Sequence, residues 1–486
     1  MTSEPTSPAE QVRRHLDHPI IDADGHFVEL GPVVDDRLVA HLETQGGTEL
    51  RDRYLKGRMA PFDTSTVLGG RGAGSRRDWR AMPSWWGWQT RNTLDRATAH
   101  LPRLLYERLD ALGIDFTILY PSTTLAFMEM DNDLGGPVCR AVNTWLAEVF
   151  APYADRMTVG ALIPMGTPEL AVAELRHAVT VLGFKAVVIS GHVRRTLGPR
   201  PDGGGPRPYR LDHFGIDSEY DYDPVWAACV ELGVAPVSHS SHHYHRVSRS
   251  PSNYVYNHIG GLATSHESMA KSLFLDGVTR RFPTLRFGFL EGGVAWACSL
   301  FAELVGHWEK RNGRAIGDLD PDRLDVDGLM EYMARYGDND VLARLDRIRE
   351  QFGAPAAKPE QLDDFFRAQI TDVGDFVELF ASRFFFGCEA DDPLVAWAFN
   401  EKVNPLGARL RPIFGSDISH WDVPDITEPV AEAYELVERG IVSERDFRDF
   451  TFLNPLRLHA GMNPRFFEGT VCESAVAEAL RADGGH

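Results

Sequence analysis

Short apolar runs alternate along this chain with longer stretches of helical period, and Gly, Pro and Asp punctuate the joins. The runs fall at residues 19–24, 115–120, 157–163, 184–190, 234–239, 285–291, 383–388 and 410–416. Helical patterns occupy 138–153, 168–182, 224–232, 268–282, 294–310, 393–403 and 429–439. Strand and helix in repetition mark βαβ units and a parallel sheet. Eight such strands predict a (β/α)8 TIM barrel, an α/β fold whose sites gather at the C-terminal ends of the strands. The barrel domain is expected over 19–460, between an N-terminal tail, 1–18, and a C-terminal extension, 461–486. Three stretches exceed a minimal barrel, at about 40–100, 191–222 and 313–380. Insertions of this length serve as pocket walls or lids, or else as oligomer contacts and surface loops. The first two leave the catalytic face and are expected to wall a pocket.

Composition narrows the partners. A net charge of −20 argues against nucleic acid and against a membrane surface. No apolar run approaches the roughly 20 residues of a membrane span, and residues 1–18 show no apolar signal-peptide centre. The five cysteines, Cys139, Cys229, Cys298, Cys388 and Cys472, are scattered without paired spacing. They read as reduced, buried thiols in a cytoplasmic protein and leave no thiolate zinc site. A homodimer is compatible with the long insertions.

Candidate chemistry sits where apolar runs end in acids or imidazoles. The first run leads into Asp22-Ala23-Asp24-Gly25-His26, and the fifth ends Val237-Ser238-His239. The sixth ends Leu290-Glu291-Gly292-Gly293, and the eighth leads into Gly415-Ser416-Asp417. Alternate strand residues share a face, so Asp22, Asp24 and His26 are expected to point the same way. Carboxylates and imidazoles ending distant strands suggest a polynuclear metal site at the barrel mouth. Asp24, His26, His239, His258, Glu291 and Asp417 are the candidate ligands. Asp22, His242, His243, His266, Glu389 and His420 are candidates for outer or catalytic roles. Trp85, Trp86, Tyr244 and Trp421 would suit the wall of an apolar pocket, though each also fits the core. Other readings remain for several of these. Asp24-Gly25-His26 fits a plain turn, His258 and His266 fit satisfied core or capping histidines, and an inward Glu291 could be neutralised by Arg or Lys.

At these motifs the chain resembles the amidohydrolase-related TIM-barrel enzymes close to aminocarboxymuconate-semialdehyde decarboxylase, over roughly residues 19–460. That resemblance implies one divalent metal held by a His-x-His pair, a further His and the last-strand Asp. It implies hydrolysis or non-oxidative decarboxylation through a metal-activated water, with zinc or manganese as the single ion. Asp24 stands where the first His of the pair would be, and Glu291 where another His would be. Anionic oxygen donors favour harder ions such as iron or manganese. The segments 252–260 and 289–296 also resemble the TIM-barrel non-heme diiron monooxygenase of platensimycin and platencin diterpenoid biosynthesis and its relatives. This second resemblance implies two non-heme irons and hydroxylation of an apolar substrate, terpenoid-like or linked to coenzyme A, in antibiotic biosynthesis. It also implies a separate reductase, since no GxGxxG turn offers a flavin or nicotinamide site. The leading expectation is therefore a diiron monooxygenase, with the mononuclear hydrolase or decarboxylase as the alternative. A barrel that binds metal or a partner without catalysis is the third reading.

Overall fold

A computed structural model describes residues 7–57, 92–130, 133–198, 208–239, 250–353, 361–420 and 423–483. Each of the eight expected strands forms. They are β1 (Ile21–Phe27), β2 (Phe116–Pro121), β3 (Met157–Leu162) and β4 (Ala186–Ile189). A two-stranded insert follows, β5 (Val193–Thr196) and β6 (Tyr209–Asp212), and then β7 (Pro236–Ser238), β8 (Phe287–Phe289), β9 (Phe384–Cys388) and β10 (Arg411–Phe414). The sheet order is β1-β2-β3-β4-β7-β8-β9-β10, with neighbours parallel. The ends meet just past β10. Asp417 N donates to Asp24 O at 2.9 Å, and His26 N donates to Ile418 O at 2.9 Å. The fold is an α/β TIM barrel. Strands β1, β2 and β9 are buried along their whole length because helices cover the outside and side chains fill the inside, leaving no solvated face.

The closing bonds place β1 and β10 side by side with their C-terminal ends together, and that end of the barrel receives the acids and imidazoles. Crossover helices include Gly135–Phe150, Pro168–Thr180, Asp223–Leu232, Gly261–Leu275, Ala295–Arg311 and Pro429–Glu438. The pattern at 393–403 yields only one turn of helix, Val395–Ala398. Asn404 explains the stop, because its Nδ2 donates to the carbonyls of Trp397 at 2.8 Å and Ala398 at 3.3 Å. A side-chain donor on the last carbonyls replaces the next turn.

Part of the 191–222 stretch is the antiparallel hairpin β5–β6. Arg195 fastens it to the barrel: Nε donates to Asp212 Oδ2 at 3.0 Å, Nη1 to Gly166 O at 2.6 Å and Nη2 to Tyr222 Oη at 2.7 Å. In the 313–380 stretch lie helices Val326–Tyr336, Asn339–Leu342 and Leu345–Gly353. Most of the first insertion, with Trp85 and Trp86, lies outside the described residues. No helix among the described residues is long and apolar enough to cross a membrane.

At the opposite end, His459 stacks on Phe466 with ring centroids 4.6 Å apart, and both are buried. Burial pushes the His459 imidazole down to about 3. The unfolded chain binds a proton near pH 6.5 that the folded chain refuses, so His459's contribution to stability is complete above pH 6.5 and is lost as pH falls. Between pH 7 and pH 5 this residue should cost about 2 kcal/mol. Denaturant unfolding at both pH values should show His459→Leu losing less stability on acidification by about that amount. An unchanged pH difference in the variant would contradict this.

Candidate metal centre

The centre begins with an irregularity in β1. Ile21 and Asp22 pair with Phe116 and Thr117, but Gly25 and His26 pair with Leu119 and Tyr120, so the register slips between Asp22 and Gly25. Such a bulge turns the side chains that follow it to the other face. A Cβ on Gly25 would lie 2.7 Å from Asp22 Oδ2 and 2.8 Å from Thr117 Oγ1. Asp22 therefore lies on Gly25's side of the strand, while Asp24 and His26, which flank Gly25, lie on the other. The expectation that all three point the same way fails at this bulge.

Asp22 is a structural clamp. Its Oδ1 accepts from Ser416 N at 2.9 Å and from Asp24 N at 3.2 Å. Its Oδ2 accepts from Ser416 Oγ and Thr117 Oγ1, both at 2.7 Å. Three strands are tied at one carboxylate. Gly415 is needed beside it, because a Cβ there would lie 2.9 Å from Asp24 Cβ.

On the other side of β1, six side chains from four strand ends converge. His26 Nε2 lies 2.9 Å from Asp417 Oδ1 and 4.0 Å from Asp24 Oδ1. His239 Nε2 lies 3.3 Å from His26 Nε2, 3.7 Å from Asp24 Oδ1 and 3.3 Å from Glu291 Oε2. His420 Nδ1 donates to Asp417 Oδ2 at 3.0 Å, and its ring stacks on His26 at 4.6 Å. Two overlapping groups could hold an ion among the described residues, Asp24–His26–His239 and His26–Asp417–His420, and they share His26. Glu291 and Asp417 both take the left-handed backbone region, with φ of 55° and 48°. Strain of that kind just past the ends of β8 and β10 is characteristic of functional positions.

The donor set suits one cation. Asp24 Oδ1 and Asp417 Oδ1 are buried and accept no hydrogen bond among the described residues, although imidazole nitrogens stand close by. Donor atoms 2.9–4.0 Å apart match the edges of a coordination shell with bonds of about 2.0–2.2 Å. Electrostatics agree. Burial, with the charges of Asp417 and Asp22, raises the Asp24 carboxyl well above its usual range. Burial also opposes charge on Asp417, but His420 and His26 outweigh it and hold that carboxyl well below the usual range. Burial, reinforced by His26, keeps the His239 imidazole neutral, far below its ordinary value. A divalent ion would displace the proton on Asp24 and neutralise both oxygens, so binding should tighten as pH rises.

The remaining candidates fall elsewhere. His258 belongs to neither ligand group; it stacks on Tyr254 at 5.3 Å in the short helix Tyr254–His258. His266 is buried in the wall, donating through Nε2 to Leu290 O at 2.7 Å and lying 3.3 Å from Ser238 Oγ through Nδ1. It thus braces the strand ends that present Glu291 and His239, and burial lowers its imidazole to about 4. Glu389 is exposed, and its charge adds to the pressure on Asp24. His242, His243, Tyr244 and Trp421 lie outside the described residues, as do Trp85 and Trp86. Sequence reasoning missed Tyr120, the penultimate residue of β2, with its ring 5.9 Å from that of His239. Burial and the nearby Asp24 and Asp22 push its phenol well above the usual range. Its only sequence signal is a polar tip on an otherwise apolar run.

The amidohydrolase family model, Amidohydro_2, matches residues 21–459. The chain belongs to this amidohydrolase family. Among curated proteins it is similar to the decarboxylase orsB of Emericella nidulans, 34% identical over 105 residues. That match covers 21% of this chain and spans only 26% of the relative's length. Among solved structures, an amidohydrolase from Mycobacterium avium subsp. paratuberculosis aligns with 91% of this chain and 99% of its own, at 16% identity and a TM-score of 0.51. That likeness speaks for the barrel fold. A 5-carboxyvanillate decarboxylase from Novosphingobium aromaticivorans, solved with manganese, aligns with 94% of this chain and 99% of its own, at 15% identity and a TM-score of 0.47.

Family membership and the decarboxylase relative overturn the expected diiron monooxygenase. With it go the oxidoreductase and monooxygenase chemistry, and the two irons and the reductase lose their support. The physical reason lies in the amidohydrolase's own donor set. Replacing imidazoles by carboxylates alters the hardness of the site, but the two groups of donors overlap at His26. His258, cast as the nitrogen of a second centre, is not among them.

Proposed function

We propose that this amidohydrolase is a non-oxidative decarboxylase of a small carboxylic acid, using one divalent ion held by Asp24, His26, His239 and Asp417. The observation that carries the reading is the pair of buried carboxylate oxygens, Asp24 Oδ1 and Asp417 Oδ1, set against the Nε2 atoms of His26 and His239. Two carboxylate oxygens and two imidazole nitrogens suit zinc or manganese. When bound, the ion supplies a fixed positive charge against which the oxygens of an anionic substrate align.

The chain's own residues supply the rest. Five of the six converging side chains are nearly sealed from water, which strengthens their electrostatic grip. In the reaction the bond between substrate carbon and carboxylate breaks, carbon dioxide leaves, and the electron pair left on carbon takes a proton. No oxidant enters that balance. His420 is the group to carry the proton: its side chain is 16% exposed, and Asp417 Oδ2 anchors it through Nδ1. The similarity to a decarboxylase supports this direction over hydrolysis. A panel of hydroxybenzoates, given to protein stripped of metal and reloaded with manganese or zinc under anaerobic conditions, tests the reading. Carbon dioxide released mole for mole with the decarboxylated product is expected. Turnover that requires dioxygen, or that releases no carbon dioxide, would contradict it.

A further inference from the structure

Among the described residues the Tyr120 hydroxyl belongs to neither ligand group and makes no hydrogen bond. Tyr120 pairs in register with His26, and adjacent parallel strands send paired side chains to the same side. Its ring therefore enters the barrel mouth, 5.9 Å from the ring of His239 and tilted 45° to it. Gly160 on β3 makes room for it, because a Cβ there would lie 2.8 Å from Tyr120 Cε1. The side chain is fully buried, and its hydroxyl has no hydrogen-bond partner among the described residues. A core position of this size would take phenylalanine without penalty, as Phe384, Phe385 and Phe386 do on β9. A buried hydroxyl left without a partner costs stability, and an acceptor on a bound ligand would offset that cost.

We propose that the Tyr120 hydroxyl donates a hydrogen bond to an oxygen of the bound carboxylate substrate and fixes its orientation beside the His239 ring. This inference rests on the decarboxylase reading and adds to it a contact that lies outside the ion's ligands. The phenol positions substrate without holding metal, so metal affinity and substrate affinity should separate on its removal.

Tyr120→Phe tests this by calorimetric titration, first with manganese and then with 2-hydroxybenzoate and 2,6-dihydroxybenzoate on the manganese-loaded protein. The variant should bind manganese within about twofold of wild type and the hydroxybenzoates about ten- to a hundredfold more weakly. Metal-free Tyr120→Phe should also melt no lower than wild type, since it sheds an unsatisfied polar group. Equal hydroxybenzoate affinity in the two proteins overturns the proposal. So does a variant that loses manganese affinity or melts earlier, because the hydroxyl would then serve the fold or the ion. If manganese-loaded wild type binds neither hydroxybenzoate, the decarboxylase reading fails and takes this inference with it. That outcome is distinct from a Tyr120→Phe variant that binds as wild type does.

Discussion

Asp417→Asn should cost this amidohydrolase its bound metal and at least about a thousandfold in turnover, on the order of 4 kcal/mol of transition-state stabilisation. The charge of Asp417 is the most firmly held in the site, with His420 and His26 keeping its carboxyl ionised against the cost of burial. Asparagine keeps the size of the side chain and tolerates the left-handed backbone that Asp417 occupies at φ 48°. Alanine would confound lost charge with backbone strain. The asparagine variant should therefore fold, with unfolding free energy within about 1 kcal/mol of metal-free wild type. Metal content after dialysis, with the rate of carbon dioxide release, checks the prediction. A variant that keeps its metal and more than a tenth of its activity would remove Asp417 from the ligand set.

Asp22→Ala should have the largest effect on stability, about 3–5 kcal/mol, without touching the ion directly. Its carboxylate receives Ser416 N, Ser416 Oγ, Thr117 Oγ1 and Asp24 N. Removing it leaves four buried donors with nothing to accept them, at the seam where β1 meets β2 and the end of β10. Such a loss is a large share of a typical domain's 5–15 kcal/mol, so the variant should be marginal at 37 °C, and its metal affinity should fall because Asp24 and Asp417 lean on that seam. Asp22→Asn should recover part of the stability, since its amide oxygen can still accept from the two backbone donors. Urea midpoints at constant slope check both variants. Loss of less than about 1 kcal/mol in Asp22→Ala would show that the four bonds are replaceable.

The strands were legible because a parallel barrel buries both faces of each strand, so apolar runs stand out against the helices between them. His239, Glu291 and Asp417 were legible for a related reason: a charge or imidazole closing such a run needs a partner. The β1 bulge was not legible, since Asp22-Ala23-Asp24-Gly25-His26 reads as simple alternation until the register to β2 is known. Tyr120 passed as one more strand aromatic. The short helix at Val395–Ala398 depended on Asn404, whose side chain reaches back to carbonyls that helical periodicity cannot register. The chemistry failed on a different point. Donor identity at Asp24 and Glu291 speaks to which ion is preferred, whereas the number of ions depends on how the donors converge.

Anomalous diffraction from crystals of the manganese-loaded protein bears most directly on this reading. One peak per chain is expected, within about 2.0–2.3 Å of Asp24, His26, His239 and Asp417. Two peaks about 3.5–4 Å apart, or one peak away from these four residues, would contradict it.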